Sequence, residues 1–219
     1  MDNSSNPQPF TPVVPQPTSS PDSSSMKGQM IEFDAEKHNL KTYVIEFIQT
    51  LAVCLVVGIV IYWQIAQPHK VSGLSMFPTF HNNDYIITNK IGYKFNQPKR
   101  GDIVVLTNPR DLSEAFIKRI IGLPEDRVKV QEGHVYINGE KLVESYLAST
   151  SSTPPGAFLT EGSEVFVPEG SFIVLGDNRT ASSDSREWGF VPRQDIIGQV
   201  FLRYWPKESV GFIPGDVQY

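Results

Sequence analysis

Apolar positions are distributed in two ways along the chain. From Tyr43 to Trp63 they run almost unbroken, and from Leu51 onward the run has no polar face. About 21 residues at a rise of ~1.5 Å each match the hydrocarbon thickness of a bilayer, so the pattern predicts a transmembrane helix. Glu46 and Gln49 lie near its first end, and Tyr43, Tyr62 and Trp63 stand where interfacial aromatic belts form. A cleaved targeting peptide fits poorly, because the run lacks a short basic start and an Ala-x-Ala-like exit. A buried core helix is the alternative, disfavoured by the absence of a polar stripe.

After Gln64 the pattern changes to short runs rich in β-branched and aromatic residues, broken by Gly, Pro, Asn and Asp. Strands are predicted at Tyr85–Thr88, Asp102–Leu106, Ala115–Ile121, Arg127–Val130, His134–Ile137, Glu164–Val167, Ser171–Leu175 and Gln199–Tyr204. Asn138-Gly139 is a two-residue hairpin signal that joins His134–Ile137 to a strand at Glu140–Val143. Nothing here reads as a long amphipathic helix, and Leu147–Gly162 reads as an irregular surface excursion. The expected fold class is mainly β: an antiparallel β domain over residues 64–219, anchored by one N-terminal transmembrane helix over 43–63. Residues 1–42 form a tail and juxtamembrane segment. Its first part, to about Ser25, is dominated by Pro, Ser, Asn and Gln, cannot bury enough surface to offset its ordering entropy, and is expected to be disordered.

Composition narrows the function classes. A net charge of -5 over 219 residues gives no basic surface for nucleic acid. The single cysteine, Cys54, lies within the apolar run, so no intramolecular disulfide forms. Lys27, Lys37 and Lys41 precede that run whereas only Lys70 follows at comparable distance, which favours a cytoplasmic N-terminus.

Candidate chemistry begins at Val71-Ser-Gly-Leu-Ser-Met-Phe-Pro-Thr79, where Ser75 sits in a turn-rich stretch between Gly73 and Pro78. A serine hydroxyl needs a base within hydrogen-bond reach to act as a nucleophile. The four histidines, His38, His69, His81 and His134, offer no obvious base, and no Gly-x-Ser-x-Gly elbow surrounds Ser75. Lys118 is flanked by Phe116, Ile117, Ile120 and Ile121, and desolvation there would lower its pKa toward that of a base.

Three ordered stretches after the apolar run carry a resemblance: Ser75-Met-x-Pro-Thr79, Lys118-Arg-Ile-Ile-Gly-Leu-Pro124, and Gly176-Asp-Asn-Arg-x-x-Ser-x-Asp-Ser-Arg-x-Trp-Gly-x-Val-Pro192. Together they resemble the bacterial type I signal peptidase (leader peptidase) family, over roughly Thr42 to the C-terminus. The resemblance implies a membrane-bound serine endopeptidase that removes signal peptides from exported preproteins through an acyl-enzyme, without cofactor or metal. Its implied partners are signal-peptide-bearing preproteins and membrane lipid. It places the catalytic domain on the outer side of the cell membrane, or on the lumenal side of an internal photosynthetic membrane.

By that resemblance, Ser75 is the nucleophile, Lys118 the general base, Ser182 the hydroxyl that orients the lysine, and the Ser75 backbone N–H the oxyanion donor. Val71 and Ile117 match the walls of shallow substrate pockets, although either suits a simple core position. Asp184 and Arg186 match an ion pair that braces the last motif. Ser183 and Ser185 read as turn residues, and Asp177 and Asn178 as scaffold. Phe77 and Phe80 suggest an apolar rim against lipid, with burial as the alternative.

This chain departs from the family pattern at three places. Gly73 stands where some members carry a second oxyanion serine, with Ser72 adjacent; Thr180-Ala181 replaces a frequent Asp-Asn; and Glu125 replaces a frequent Gly. Three other readings are a soluble self-cleaving repressor with the same dyad, a Ser-His-Asp hydrolase using His81 or His134 with Asp102 or Asp184, and a membrane-tethered binding domain without catalysis.

Overall fold

The structure, a computed structural model, describes residues 39–62 and 66–213. Helix α1 spans Leu40–Val60 and buries none of its side chains. It starts three residues before the predicted Tyr43, and among the described residues it alone is long and apolar enough to cross a membrane. The predicted tail to residue 38 and the interfacial Trp63 lie outside the described residues.

From residue 66 onward the chain is built on antiparallel sheets. Strands β1 (Ala66–Lys70), β2 (Tyr85–Asn89), β3 (Ile103–Asn108) and β4 (Asp111–Gly122) come first, with a one-turn helix, α2 (Gly92–Phe95), between β2 and β3. There follow β5 (Arg127–Gln131), β6 (His134–Ile137), β7 (Glu140–Lys141), β8 (Glu164–Phe166), β9 (Ser171–Leu175), a one-turn helix α3 (Ser185–Trp188), β10 (Val191–Pro192), β11 (Ile196–Trp205) and β12 (Gly211–Phe212). The larger sheet runs β1-β2-β11-β3-β4-β9-β10, with β12 added to β11; the smaller runs β7-β6-β5-β8. The fold class is therefore the expected one, mainly antiparallel β with one long apolar N-terminal helix.

Side-chain alternation along β3 shows how the larger sheet is covered on both faces. Ile103 and Val105 pack with Val71, Met76, Phe80, Ile86 and Val200, whereas Val104 and Leu106 pack with Ile120, Phe172, Val174 and Ile196. A third core, with Ile121, Val128, Val130, Val135 and Ile173, joins the smaller sheet to the ends of β4 and β9. Burial of such apolar side chains contributes about 1.5–3 kcal/mol each.

Two turns keep their geometry by different means. Asn138 (φ 54°) and Gly139 (φ 86°) close the β6–β7 hairpin in the left-handed region that this dipeptide favours. Glu125 adopts φ 71°, so the turn before β5 holds a non-glycine residue in the left-handed region at a cost in backbone strain.

One open alternative is settled by burial, and one expectation needs correction. Phe80 is fully buried in the core beside Met76 and Ile86, so only Phe77 of that aromatic pair is exposed. The segment 147–162 is irregular as predicted but is not only surface: Thr153 and Leu159 are buried, and the Phe158 and Leu159 N–H groups donate to the Arg186 carbonyl. Apolar Leu159 joins the small-sheet core, and this holds the segment down.

Candidate active site

The stretch after β1 forms hydrogen-bonded turns because Gly73 takes φ 94° and its N–H donates to Asn82 Oδ1 (3.0 Å), while the Phe77 N–H donates to the Leu74 carbonyl (3.1 Å). Met76 and Phe80 sink into the core and hold Ser75, half-buried, at the surface above them. Lys118 lies on β4 opposite Val104 of β3 and is 3% exposed. Its Nζ donates to Ser75 Oγ at 3.0 Å. The same ammonium lies 4.9 Å from the centroid of the Phe116 ring, two residues back on the same strand face.

Among the described residues no carboxylate pairs directly with Lys118, and Ser75 Oγ is its hydrogen-bond partner. Burial pushes its pKa down to about 8; the more distant charges of Asp184 and Asp177 pull it up and that of Arg186 pulls it down. A lysine in this state holds a large neutral fraction at mildly alkaline pH, as a general base requires.

The third motif closes the site from the other side. The Asn178 N–H donates to the Ser75 carbonyl (2.9 Å) and the Asn178 amide to the Leu74 carbonyl (3.1 Å). Gly176 passes so close that an added Cβ would lie 2.5 Å from the Ser75 carbonyl oxygen and would overlap Ser182, so glycine is required there. Ser182 Oγ is buried against Gly176 and has no hydrogen-bond partner. The expected bond from Ser182 to Lys118 is therefore not formed: the lysine is turned to Ser75, and the serine packs against the glycine backbone.

Asp184 and Arg186 form the expected pair, through two contacts of 2.8 Å. Both are buried, not solvated, and Asp184 also accepts the Gly176 N–H (3.0 Å) and the Arg186 N–H at the start of α3. Ser185 Oγ accepts the Val174 N–H, which ties the same turn to β9. Asp177 carries more than a turn role: it accepts two bonds from Arg119 (2.8 and 2.7 Å) and one from Thr79 Oγ1 (2.5 Å). Arg119, next to Lys118 in the chain, thereby links the lysine strand, the last motif and the serine turn. Sequence reasoning left Arg119 and Thr79 without roles, although their place inside the first two motifs was a signal.

A cleft of about 320 Å³ opens beside the serine, lined in part by Val71, Ser75, Phe116, Ile117, Lys118 and Ala181. Val71 and Ile117 thus border the cleft and also pack in the core beneath it. The Ser75 N–H donates to no other group among the described residues, whereas the Gly73 N–H is occupied by Asn82. His69 also lines the cleft, with a buried and unpartnered Nε2; burial first, and then the charge of Lys90, lowers its pKa. His81 is exposed and packs edge-on against Phe77, and His134 belongs to the smaller sheet. Neither bonds Ser75.

Comparison with known proteins gives one family. Residues 44–205 match the model of "Signal peptidase, peptidase S26". The chain is 42% identical over 180 residues to a probable signal peptidase I-2 of Synechocystis sp., covering 80% of this chain and 79% of that one. It is 45% identical over 174 residues to a signal peptidase I of Leptolyngbya laminosa, covering 76% and 82%. A crystal structure of a signal peptidase I from Enterococcus faecalis is 33% identical and covers 48% of this chain and 97% of that one, with a TM-score of 0.41.

Proposed function

The chain belongs to the signal peptidase family, peptidase S26, and we propose that it removes signal peptides from exported preproteins with a Ser75–Lys118 dyad through an acyl-enzyme. The observation that carries this reading is the 3.0 Å bond between Ser75 Oγ and a buried lysine that has no direct carboxylate partner. In the first step neutral Lys118 takes the Ser75 proton as Oγ attacks the scissile carbonyl carbon. The Ser75 N–H stabilises the oxyanion, a contribution of about 3 kcal/mol for one well-placed donor. Collapse breaks the C–N bond, and Lys118 returns the proton to the leaving amine. Water then enters, loses a proton to the neutral Lys118 amine as it attacks the acyl carbon, and the acyl C–O bond to Ser75 breaks as Lys118 returns that proton to Oγ.

Ser182 in this reading orients the lysine once its hydroxyl turns toward Nζ; its buried, unpartnered Oγ supports that role. Val71 and Ile117 bound pockets that admit only small side chains beside the cut, consistent with their dense packing beneath the cleft. Asp184 and Arg186 brace the last motif. Helix α1 anchors the chain in the membrane in a single pass with its N-terminus cytoplasmic, and exposed Leu74 and Phe77 contact lipid.

Cleavage of a preprotein with an Ala-x-Ala site, in detergent or lipid, tests the reading. The parent and His81→Ala should cut, while Ser75→Ala and Lys118→Ala should lose about a thousandfold or more in rate. An inactive parent across lipid and pH conditions would favour a binding domain, and an active Lys118→Ala would remove the lysine from its role.

A further inference from the structure

Arg179 takes no part in the chemistry above, yet it is 3% exposed and fully engaged. Its Nη1 donates to Glu144 Oε2 (2.9 Å) and Thr153 Oγ1 (2.6 Å), its Nη2 to Glu144 Oε1 and to the Tyr146 hydroxyl (3.1 Å), and its Nε to the Gly176 carbonyl (3.1 Å). The Tyr146 hydroxyl in turn donates to Glu144 Oε1 (2.6 Å). On its other side, the Tyr146 ring lies 3.9 Å from the guanidinium carbon of Arg119. Tyr146 therefore joins two cation–carboxylate pairs, Arg179–Glu144 through its hydroxyl and Arg119–Asp177 through its ring.

We propose that Glu144 and Tyr146 are positioning residues for peptide cleavage: they neutralise Arg179, cover the Arg119–Asp177 pair, and so fix Gly176 to Asn178 against the Ser75 carbonyl. The inference rests on the peptidase reading. Its physical basis is competition between cations for one carboxylate. A buried guanidinium that loses its partner must find another. Asp177 lies within electrostatic reach of Arg179 and is already engaged by Arg119 and Thr79. Without Glu144, Arg179 draws on Asp177 and pulls at Gly176, whose backbone has no slack beside Ser75 and Ser182. Without the Tyr146 ring, the Arg119–Asp177 pair is opened to water and weakens. Both residues come from the segment between β7 and β8, remote in sequence from every motif residue.

The test compares the parent, Ser75→Ala, Glu144→Gln and Tyr146→Phe in the full chain, by single-turnover cleavage of a peptide bearing an Ala-x-Ala site at saturating enzyme. Saturation compensates for a reduced folded fraction, so a merely structural role leaves the limiting rate constant unchanged. Glu144→Gln should lower that constant about tenfold or more. Tyr146→Phe keeps the ring over Arg119 but removes the hydroxyl that donates to Glu144 and accepts from Arg179, which loosens the carboxylate that neutralises Arg179, so a fall of about fivefold is expected. Should Glu144→Gln fail to fold, Tyr146→Phe carries the test alone. Parent-like limiting constants in the folded variants would overturn this inference and leave the dyad standing; a parent no faster than Ser75→Ala would overturn both.

Discussion

Lys118 and Arg119 are neighbours on β4, 3% and 2% exposed, and they point to opposite faces of the strand. On one face Arg119 meets a carboxylate in a two-point bond, the Gly101 carbonyl and an aromatic ring. On the other, Lys118 meets a serine hydroxyl and an aromatic ring. Equal burial thus has opposite results. A cation provided with a direct counter-ion stays charged and ties three segments together; a cation denied one gives up its proton near pH 8. Residue type reinforces the division, because a guanidinium keeps its charge where an ammonium does not.

The sharpest way to break this contrast is to make the two faces alike. Lys118→Arg should abolish cleavage, by about a thousandfold or more in kcat, since the new side chain cannot accept the Ser75 proton. On the opposite face, Asp177→Asn leaves Arg119 buried without its carboxylate and should cost about 3–5 kcal/mol of stability, measured by denaturant unfolding. Lys118→Met should do the reverse. The fall of the Lys118 pKa from 10.5 to about 8 is equivalent to about 3 kcal/mol of penalty at neutral pH, which methionine removes. The sign follows from proton binding: between pH 8 and 10.5 the unfolded chain holds this proton more tightly than the folded one. The stability gain of Lys118→Met over the parent should therefore be full below pH 8 and shrink as pH rises toward 10. A gain that stayed constant over that range would show that the lysine is charged in the folded state.

The strands written in β-branched residues were legible: Ser171–Leu175 is β9 residue for residue, and Arg127–Val130 and His134–Ile137 fall within β5 and β6. What escaped was backbone recruited by its neighbours. β1, Ala-Gln-Pro-His-Lys, has no strand pattern and contains Pro68, yet it pairs along β2 at the sheet edge, where proline is tolerated. β11 starts at Ile196, three residues before the predicted Gln199, because Gly198 lets the strand pass close to the Asn89 carbonyl. At the site, sequence motifs brought together Ser75, Lys118 and Ser182, since each lies in a compact local signature. The counter-ions did not read out: nothing local to Glu144 tells that it faces Arg179, 35 residues away. Burial also decided what pattern left open, as with Phe80 and the Asp184–Arg186 pair.

The position of β11 bears on the order in which this protein can become active. It is the last long strand among the described residues, but it lies between β2 and β3, two of the first, and Arg203 near its end donates to the Thr79 carbonyl at the foot of the serine turn. A growing chain that has already made Ser75 and Lys118 still has a gap in the middle of its sheet. Pairings of such long sequence separation form slowly and late. In the proposed reading the sheet that carries Ser75 and Lys118 is therefore completed only after about two hundred residues have been made.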